Sequence, residues 1–230
     1  MNLMTLAALC AAVARGGPVA PAGTDCAAVV HQYQTAIAHV APIVNTSDAR
    51  DAIARVAYAE AGNQGDSGLA GVVYAILNRI LDGGFGAGVS SILDAPGQFE
   101  PVTKARGWRN LPARSPVEQA HIDTILNLAL DGRLPDPTNG ARYFQNPAVV
   151  ASRVAAGTAS PGVANFGGQK PVSVIRDHAF YGAPGPERRA TVPLPSLFVP
   201  VQTAQPRSSS PNDAPPEAAS ALFVPVQSLR

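Results

Sequence analysis

Glu60 is the residue whose neighbours best equip it for chemistry. It follows Ile53, Val56 and Ala57 at the i, i+3, i+4, i+7 spacing of one helix face, so its carboxylate points where the apolar side chains point. It also falls in the last turn, before Asn63 to Gly65 break the helix. Desolvation on such a face and the partial negative charge of a helix C-terminus both raise a carboxyl pKa toward neutrality. A carboxylic acid that keeps its proton near neutral pH can protonate the leaving oxygen of a glycosidic bond. The plain alternative is a fraying helix end, with Glu60 in solvent or paired with Arg79, and an isolated Glu does not choose between the two.

Other chemistry is sparse. The four histidines are scattered without HExxH spacing, and Cys10 and Cys26 show no metal-ligand pattern, so no metal and no other cofactor is expected. Lys plus Arg number 17 against 16 Asp plus Glu, a net charge of +1 that gives no field attracting nucleic acid. Leu3 to Ala14 is apolar but too short to span a bilayer, so no membrane span is expected. This run reads either as an export leader cut after Ala14, without the usual preceding Lys or Arg, or as a short helix docked on a partner. In the first case Cys10 is lost; in the second a Cys10 to Cys26 disulfide can form.

The elements that must position Glu60 follow from periodicity and caps. Thr24 or Asp25 caps a helix to about Val44, with Val29, Val30, Tyr33, Ile37 and Val40 near one face. Ser47 caps the Glu60 helix, and Asp66 caps the next, which carries Leu69, Val72, Val73, Ile76, Leu77 and Ile80 and stops at Gly83 and Gly84. Residues 83 to 115 read as an irregular loop with a helical turn near Ser90 to Leu93. Ser115 to Glu118 is a capping box opening a helix to about Asp131. Arg142 to Phe144 is extended, Asn146-Pro147 starts a short helix, and Val172 to Tyr181 is mostly strand.

With 230 residues, 22 of them Pro and 21 Gly, the chain holds one domain plus an irregular segment. Four parts are expected: a leader over 1–22, a helix over 23–44, a catalytic body over 45–182 and a tail over 183–230. The tail holds 10 of the 22 prolines and reads as disordered, because it cannot bury enough apolar surface to fold alone. LFVPVQ occurs in it twice, at Leu197 to Gln202 and Leu222 to Gln227. The repeat is either a bivalent motif that docks on a protein partner or a duplication without a role.

Several blocks in order resemble the cell wall hydrolase family typified by spore cortex-lytic enzymes. They are Ala54 to Ala61, Gly68 to Ala75 with Leu77-Asn78-Arg79, Pro96 to Val102, Asp136 to Pro147, and His178 to Tyr181, together covering roughly residues 50 to 182. The resemblance implies a helix-rich, lysozyme-like α+β domain with a small β-sheet. It also implies cleavage of peptidoglycan between N-acetylmuramic acid and N-acetylglucosamine, with the family's catalytic glutamate falling on Glu60. A second acidic residue often follows in the family; here Gln64 takes its place, with Asp66 nearby.

One carboxyl suffices for a lytic transglycosylase, whose sugar supplies its own nucleophile and ends as a 1,6-anhydro product. A hydrolytic muramidase needs another carboxylate, for which Asp66 and Glu100 are the candidates. The resemblance places Gln98, Tyr143 and Asn146 along the substrate groove, with His178 and Tyr181 behind them, while Phe99, Phe144 and Phe180 serve equally well as core. Trp108, the one tryptophan, flanks the glycan or anchors its loop. Such an enzyme acts in the periplasm or outside the cell, or is carried to the wall on a virion. A degenerate domain that only binds peptidoglycan, tethered to an assembly through its tail, is the competing class.

Overall fold

A computed structural model describes residues 3–14, 16–17 and 19–182 of the chain. At its centre α3 (Ser47–Ala61) packs on α4 (Gly65–Asp82), and both lie against α7 (Pro116–Leu130). Residues Gly68 to Arg79 of α4 are buried on every side, as the apolar run there requires. The α+β class is as expected: a helix-rich body with a small antiparallel sheet.

Caps fix the helix ends. Asp25 Oδ1 accepts from the Ala27 and Ala28 N–H groups at 3.0 and 3.1 Å, which starts α2 (Cys26–Val44) and resolves the choice between Thr24 and Asp25. Thr46, one residue before the expected Ser47, caps α3 through a 3.1 Å bond from the Ala49 N–H. Both residues are good caps, and a hydroxyl one position earlier reaches the same orphan donors. Asp66 is not a cap either: α4 begins at Gly65, and Asp66 sits inside its first turn, where negative charge suits the helix dipole. The Ser115–Glu118 capping box is formed as read.

Within 83–115, α5 (Val89–Leu93) lies where one turn was expected, but α6 (Glu100–Ala105) was missed. Pro101 makes the stretch look broken, yet in a first helical turn a missing N–H costs nothing. Of the two readings of Trp108, its burial favours the anchor of this region. It is 1% exposed, its backbone N–H donates to Asp94 Oδ1 at 2.9 Å and its Nε1 donates to Ser90 Oγ at 3.2 Å.

The expected strand 172–181 is a hairpin of β2 (Ser173–Ile175) and β3 (His178–Tyr181), turning through Arg176 at φ 53°. With β1 (Tyr143–Gln145) it makes an antiparallel sheet of order β1-β3-β2, pairing Tyr143 with Tyr181 and Phe144 with Phe180. The sheet presses on α4 at Gly71, where an added Cβ would meet Phe180 Cζ at 2.7 Å. α8 (Pro147–Ala155) follows β1 and buries none of its residues.

At the other end, α1 (Leu3–Val13) docks on α2 with Met4, Ala7, Ala8 and Cys10 buried, and Cys10 is joined to Cys26. Thr5 Oγ1 donates to Asp136 O at 3.2 Å. Among the described residues no helix is long and apolar enough to cross a membrane. The tail and both LFVPVQ copies lie outside the described residues.

Candidate active site around Glu60

The loop between α7 and β1 is a polar device that fixes β1 against α4. Asp136 Oδ1 accepts from the Thr138 N–H at 2.8 Å and the Thr138 hydroxyl at 2.6 Å, and its Oδ2 accepts from the Gly140 N–H at 2.8 Å. Asn78 of α4 donates to Asp136 Oδ2, Thr138 Oγ1 and Ala141 O at 3.1, 3.2 and 3.1 Å. Buried polar groups satisfied this fully set a backbone rigidly. Arg142 and Tyr143 emerge from that loop in a fixed place.

Arg79, one residue along α4 from Asn78, is 2% exposed. Its Nε donates to Arg142 O at 2.6 Å, and its guanidinium carbon lies 4.7 Å from the Phe99 ring centre, 5.2 Å from Phe85 and 5.8 Å from Tyr143. Ring faces stabilise a cation that burial has stripped of water. Burial lowers its pKa to about 10, with Tyr143 and Glu60 opposing, so it stays charged at neutral pH. Its Nη1 is buried without a hydrogen-bond partner.

Glu60 is the penultimate residue of α3 and is half-buried. Its pKa is pushed up to about 7, first by desolvation and then by the negative charge of Glu100, while Arg79 and a hydrogen bond from the Glu100 backbone N–H pull the other way. Among the described residues it forms no ion pair, so the alternative of a Glu60–Arg79 salt bridge is not what the fold makes. Glu100 is the opposite kind of carboxyl. Its Oε1 meets Arg153 Nη2 at 2.6 Å and Lys104 Nζ at 2.5 Å, and the hydrogen bond from Arg153 leads the causes that hold its pKa at about 2. Their surroundings drive the two carboxyls apart, so that Glu60 holds its proton to a much higher pH than Glu100.

Asp66 does not belong to this group: its side chain is 87% exposed and faces His121 Nε2 at 3.3 Å. Gln64, in the place where an acid was looked for, is buried and accepts from the Asp177 N–H at 3.4 Å, tying the α3–α4 junction to the β2–β3 turn.

The remaining expected residues divide. Gln98 precedes Phe99 and Glu100, is half-buried, and its side-chain amide makes no hydrogen bond among the described residues. Tyr143 is flanked by Phe85 and Phe166, each ring centre 5.6 Å away, and shares Arg79 with Glu60. Asn146 caps α8, its Oδ1 accepting from the Ala148 and Val149 N–H groups at 3.0 and 3.2 Å. His178 is buried 5.0 Å from the Phe144 ring, with Nδ1 unpartnered and its pKa lowered by desolvation, so it is neutral near pH 7. Tyr181 is 1% exposed and donates from its hydroxyl to Asn165 Oδ1 at 2.9 Å.

Beyond its place in the block Leu77-Asn78-Arg79, Arg79 was read from the sequence as a rival partner for Glu60 and not as a site residue. A signal was present, since a lone cation three residues after Ile76, near the end of a long apolar run, is either snorkelling or enclosed. Phe85 and Phe166 gave none, being single aromatics in loops. Among the described residues no three or more His, Cys, Asp or Glu side chains gather as metal ligands would.

The family described as Cell Wall Hydrolase matches residues 63–181, more than half of the chain. No curated protein and no solved structure matches it. The matched segment contains Arg79, Gln98, Glu100 and Tyr143 and begins three residues after Glu60. The chain belongs to the cell wall hydrolase family.

Proposed function

We propose that this protein cleaves the bond between N-acetylmuramic acid and N-acetylglucosamine in peptidoglycan, as a lytic transglycosylase with Glu60 as acid and then base. The observation that carries this is a half-buried carboxyl with a pKa near 7 at a helix end, beside a buried arginine and a ring of aromatic side chains. Family membership supports peptidoglycan cleavage in general.

Protonated Glu60 donates to the glycosidic oxygen as the C1–O bond breaks and its electron pair leaves with that oxygen. The Glu60 carboxylate then takes the proton of the muramic acid C6 hydroxyl as O6 bonds to C1, which returns the acid to its starting form and leaves a 1,6-anhydro end. Arg79 stabilises the carboxylate between the two steps. Gln98 and Tyr143 face the glycan; Asn146, His178 and Tyr181 act behind them by holding α8 and the sheet. A second reading, hydrolysis by an activated water, draws on Glu100, the ionised carboxyl next to Glu60. The wall is reached by export or by carriage on a virion or envelope assembly, with the LFVPVQ copies docking on the carrier; deletion of residues 183–230 should then spare lysis and abolish co-purification with it.

The test is mass spectrometry of soluble products after the full chain, native or Glu60→Gln, digests purified peptidoglycan. Anhydro-muramic ends that vanish with Glu60→Gln are expected. Reducing muramic ends transfer the reaction to hydrolysis, and binding without release by folded native protein overturns catalysis in favour of a wall-binding module.

A further inference from the structure

Three half-buried rings stand in a row that the hydrophobic core does not claim. Phe85, in the loop after α4, and Phe166, in the loop before β2, each have their ring centre 5.6 Å from that of Tyr143 in β1, and no ring contact joins the two phenylalanines directly. Among the described residues none of the three belongs to, or packs against, either cluster of core side chains. What holds them is cationic or strained instead. The Arg79 guanidinium lies 5.2 Å from the Phe85 ring centre and 5.8 Å from that of Tyr143. Phe166 sits at φ 46°, between Asn165 at 50° and Gly167 at 83°, a run of left-handed backbone that a phenylalanine adopts only under constraint. The constraint is visible: the Tyr181 hydroxyl donates to Asn165 Oδ1 at 2.9 Å, the Tyr181 ring meets Phe166 edge-on at 5.1 Å, and Gln169 Nε2 donates to Phe166 O at 3.2 Å. With its oxygen so engaged, the Asn165 amide keeps a nitrogen that makes no hydrogen bond among the described residues, next to the ring.

We propose, resting on the reading above that the glycan strand is the substrate and Tyr143 faces it, that Phe85 and Phe166 are glycan-binding residues, each stacking on an N-acetylhexosamine next to the one on Tyr143. The occupant follows from the chemistry of the row. A pyranose turns a face of weakly positive C–H bonds toward the negative face of an aromatic ring, while its hydroxyl and acetamido groups take up polar partners at the rim. The Asn165 amide is such a partner, beside Phe166. Rings in succession suit a repeating polymer better than a single sugar, because successive units meet successive rings and the contacts add along one strand. The cell wall on which this family acts is built of that polymer. An apolar peptide or a second protein would want a continuous apolar patch, and here the rings are backed by a guanidinium and edged by an amide. The strain at Phe166 has the same explanation: it carries a ring away from the core to where a ligand meets it.

The experiment uses the full chain with Glu60→Gln, so that ligand is not consumed, alone and combined with Phe85→Leu, Phe166→Leu, Phe85→Tyr or Phe166→Tyr. Calorimetric titration measures the binding of peptide-free glycan fragments of peptidoglycan, of two and of six sugars, and of the stem peptide alone; product release from purified peptidoglycan is recorded with the same substitutions in the native chain. Leucine keeps apolar bulk at each position but has no flat face, and tyrosine keeps the face. Each Leu variant should bind the six-sugar fragment roughly 3- to 10-fold more weakly, the worth of one stacked ring, with a smaller loss for two sugars. Each Tyr variant should bind as the parent does. Undiminished six-sugar binding in either Leu variant, a loss that Tyr does not restore, or binding of the stem peptide without the glycan overturns the proposal. A native chain that lyses peptidoglycan while the Leu variants bind undiminished strikes the proposal alone. Ring-dependent glycan binding by a chain that releases nothing strikes the catalytic reading alone, and absence of glycan binding at either length strikes both.

Discussion

The two ends of the molecule are built to different rules. Where α1 meets α2, no buried polar side-chain atom among the described residues lacks a partner: the Tyr33 hydroxyl donates to Ala129 O and also lies 3.1 Å from Leu130 O, and Cys10 is bonded to Cys26. Around Glu60 the rules are broken repeatedly. A buried guanidinium nitrogen and a buried imidazole nitrogen have no partner among the described residues, and a carboxyl has its pKa pushed up to about 7 by its surroundings. All five described non-glycine residues with positive φ, Arg106, Asn139, Asn165, Phe166 and Arg176, lie in the segments that build this end. Unsatisfied groups and strained backbone persist where function holds them, so the contrast supports the proposal that this end is the working one.

The strongest way to break the comparison is Glu60→Gln. Lysis should fall by a factor on the order of 10² to 10⁴, the usual contribution of a positioned acid. Stability should move the other way. Because the folded pKa lies above that of the unfolded chain, the native state holds the extra proton, and stability falls as pH rises from about 4.5 through about 7. The amide has no such penalty, so thermal melts should show Glu60→Gln gaining on the native protein above pH 7 and matching it near pH 4. A variant less stable than the native protein at pH 8 would mean that the carboxylate is not buried at a cost.

At the other end, Cys10→Ser with Cys26→Ser should lower unfolding free energy by about 3 kcal/mol for a loop of this size and leave the lysis rate of the folded protein unchanged. Denaturant melts and turbidity assays separate the two. Loss of lysis without loss of stability would couple the ends that the comparison keeps apart. Gly71→Ala should cost about 1–3 kcal/mol by pushing Phe180, and with it β3, off α4. The smallest effect is expected for Asn146→Ser, which keeps a capping oxygen and should change stability by less than about 1 kcal/mol. If instead it lowers lysis without lowering the melting temperature, Asn146 touches the glycan as well as capping α8.

Local signals carried well. The capping box at Ser115, the Asn146 cap and the extent of α2 are matters of neighbouring residues satisfying orphan N–H groups, and they were legible in sequence. The shift from Ser47 to Thr46 and the absence of a cap at Asp66 were not, because adjacent polar residues compete on equal local terms and packing chooses. α6 was hidden by its proline. For the site, spacing set Glu60 on an apolar face and the family resemblance gave it a role, whereas the place of Arg79 needed three aromatic residues from different segments to enclose it.

By itself the sequence determined which helix face is apolar, that Glu60 lies on it at a helix end, and that the blocks from Ala54 to Tyr181 resemble one family. Those are properties of periodicity and order, which the chain carries before it folds. Only the tertiary structure decided that Asp66 lies exposed against His121 while Glu100 is held between Lys104 and Arg153, and that Trp108 is an anchor. Such facts depend on charge and burial across segments that are distant in sequence and set together only by the packing of α3, α4 and α6 and by the polar loop that fixes β1.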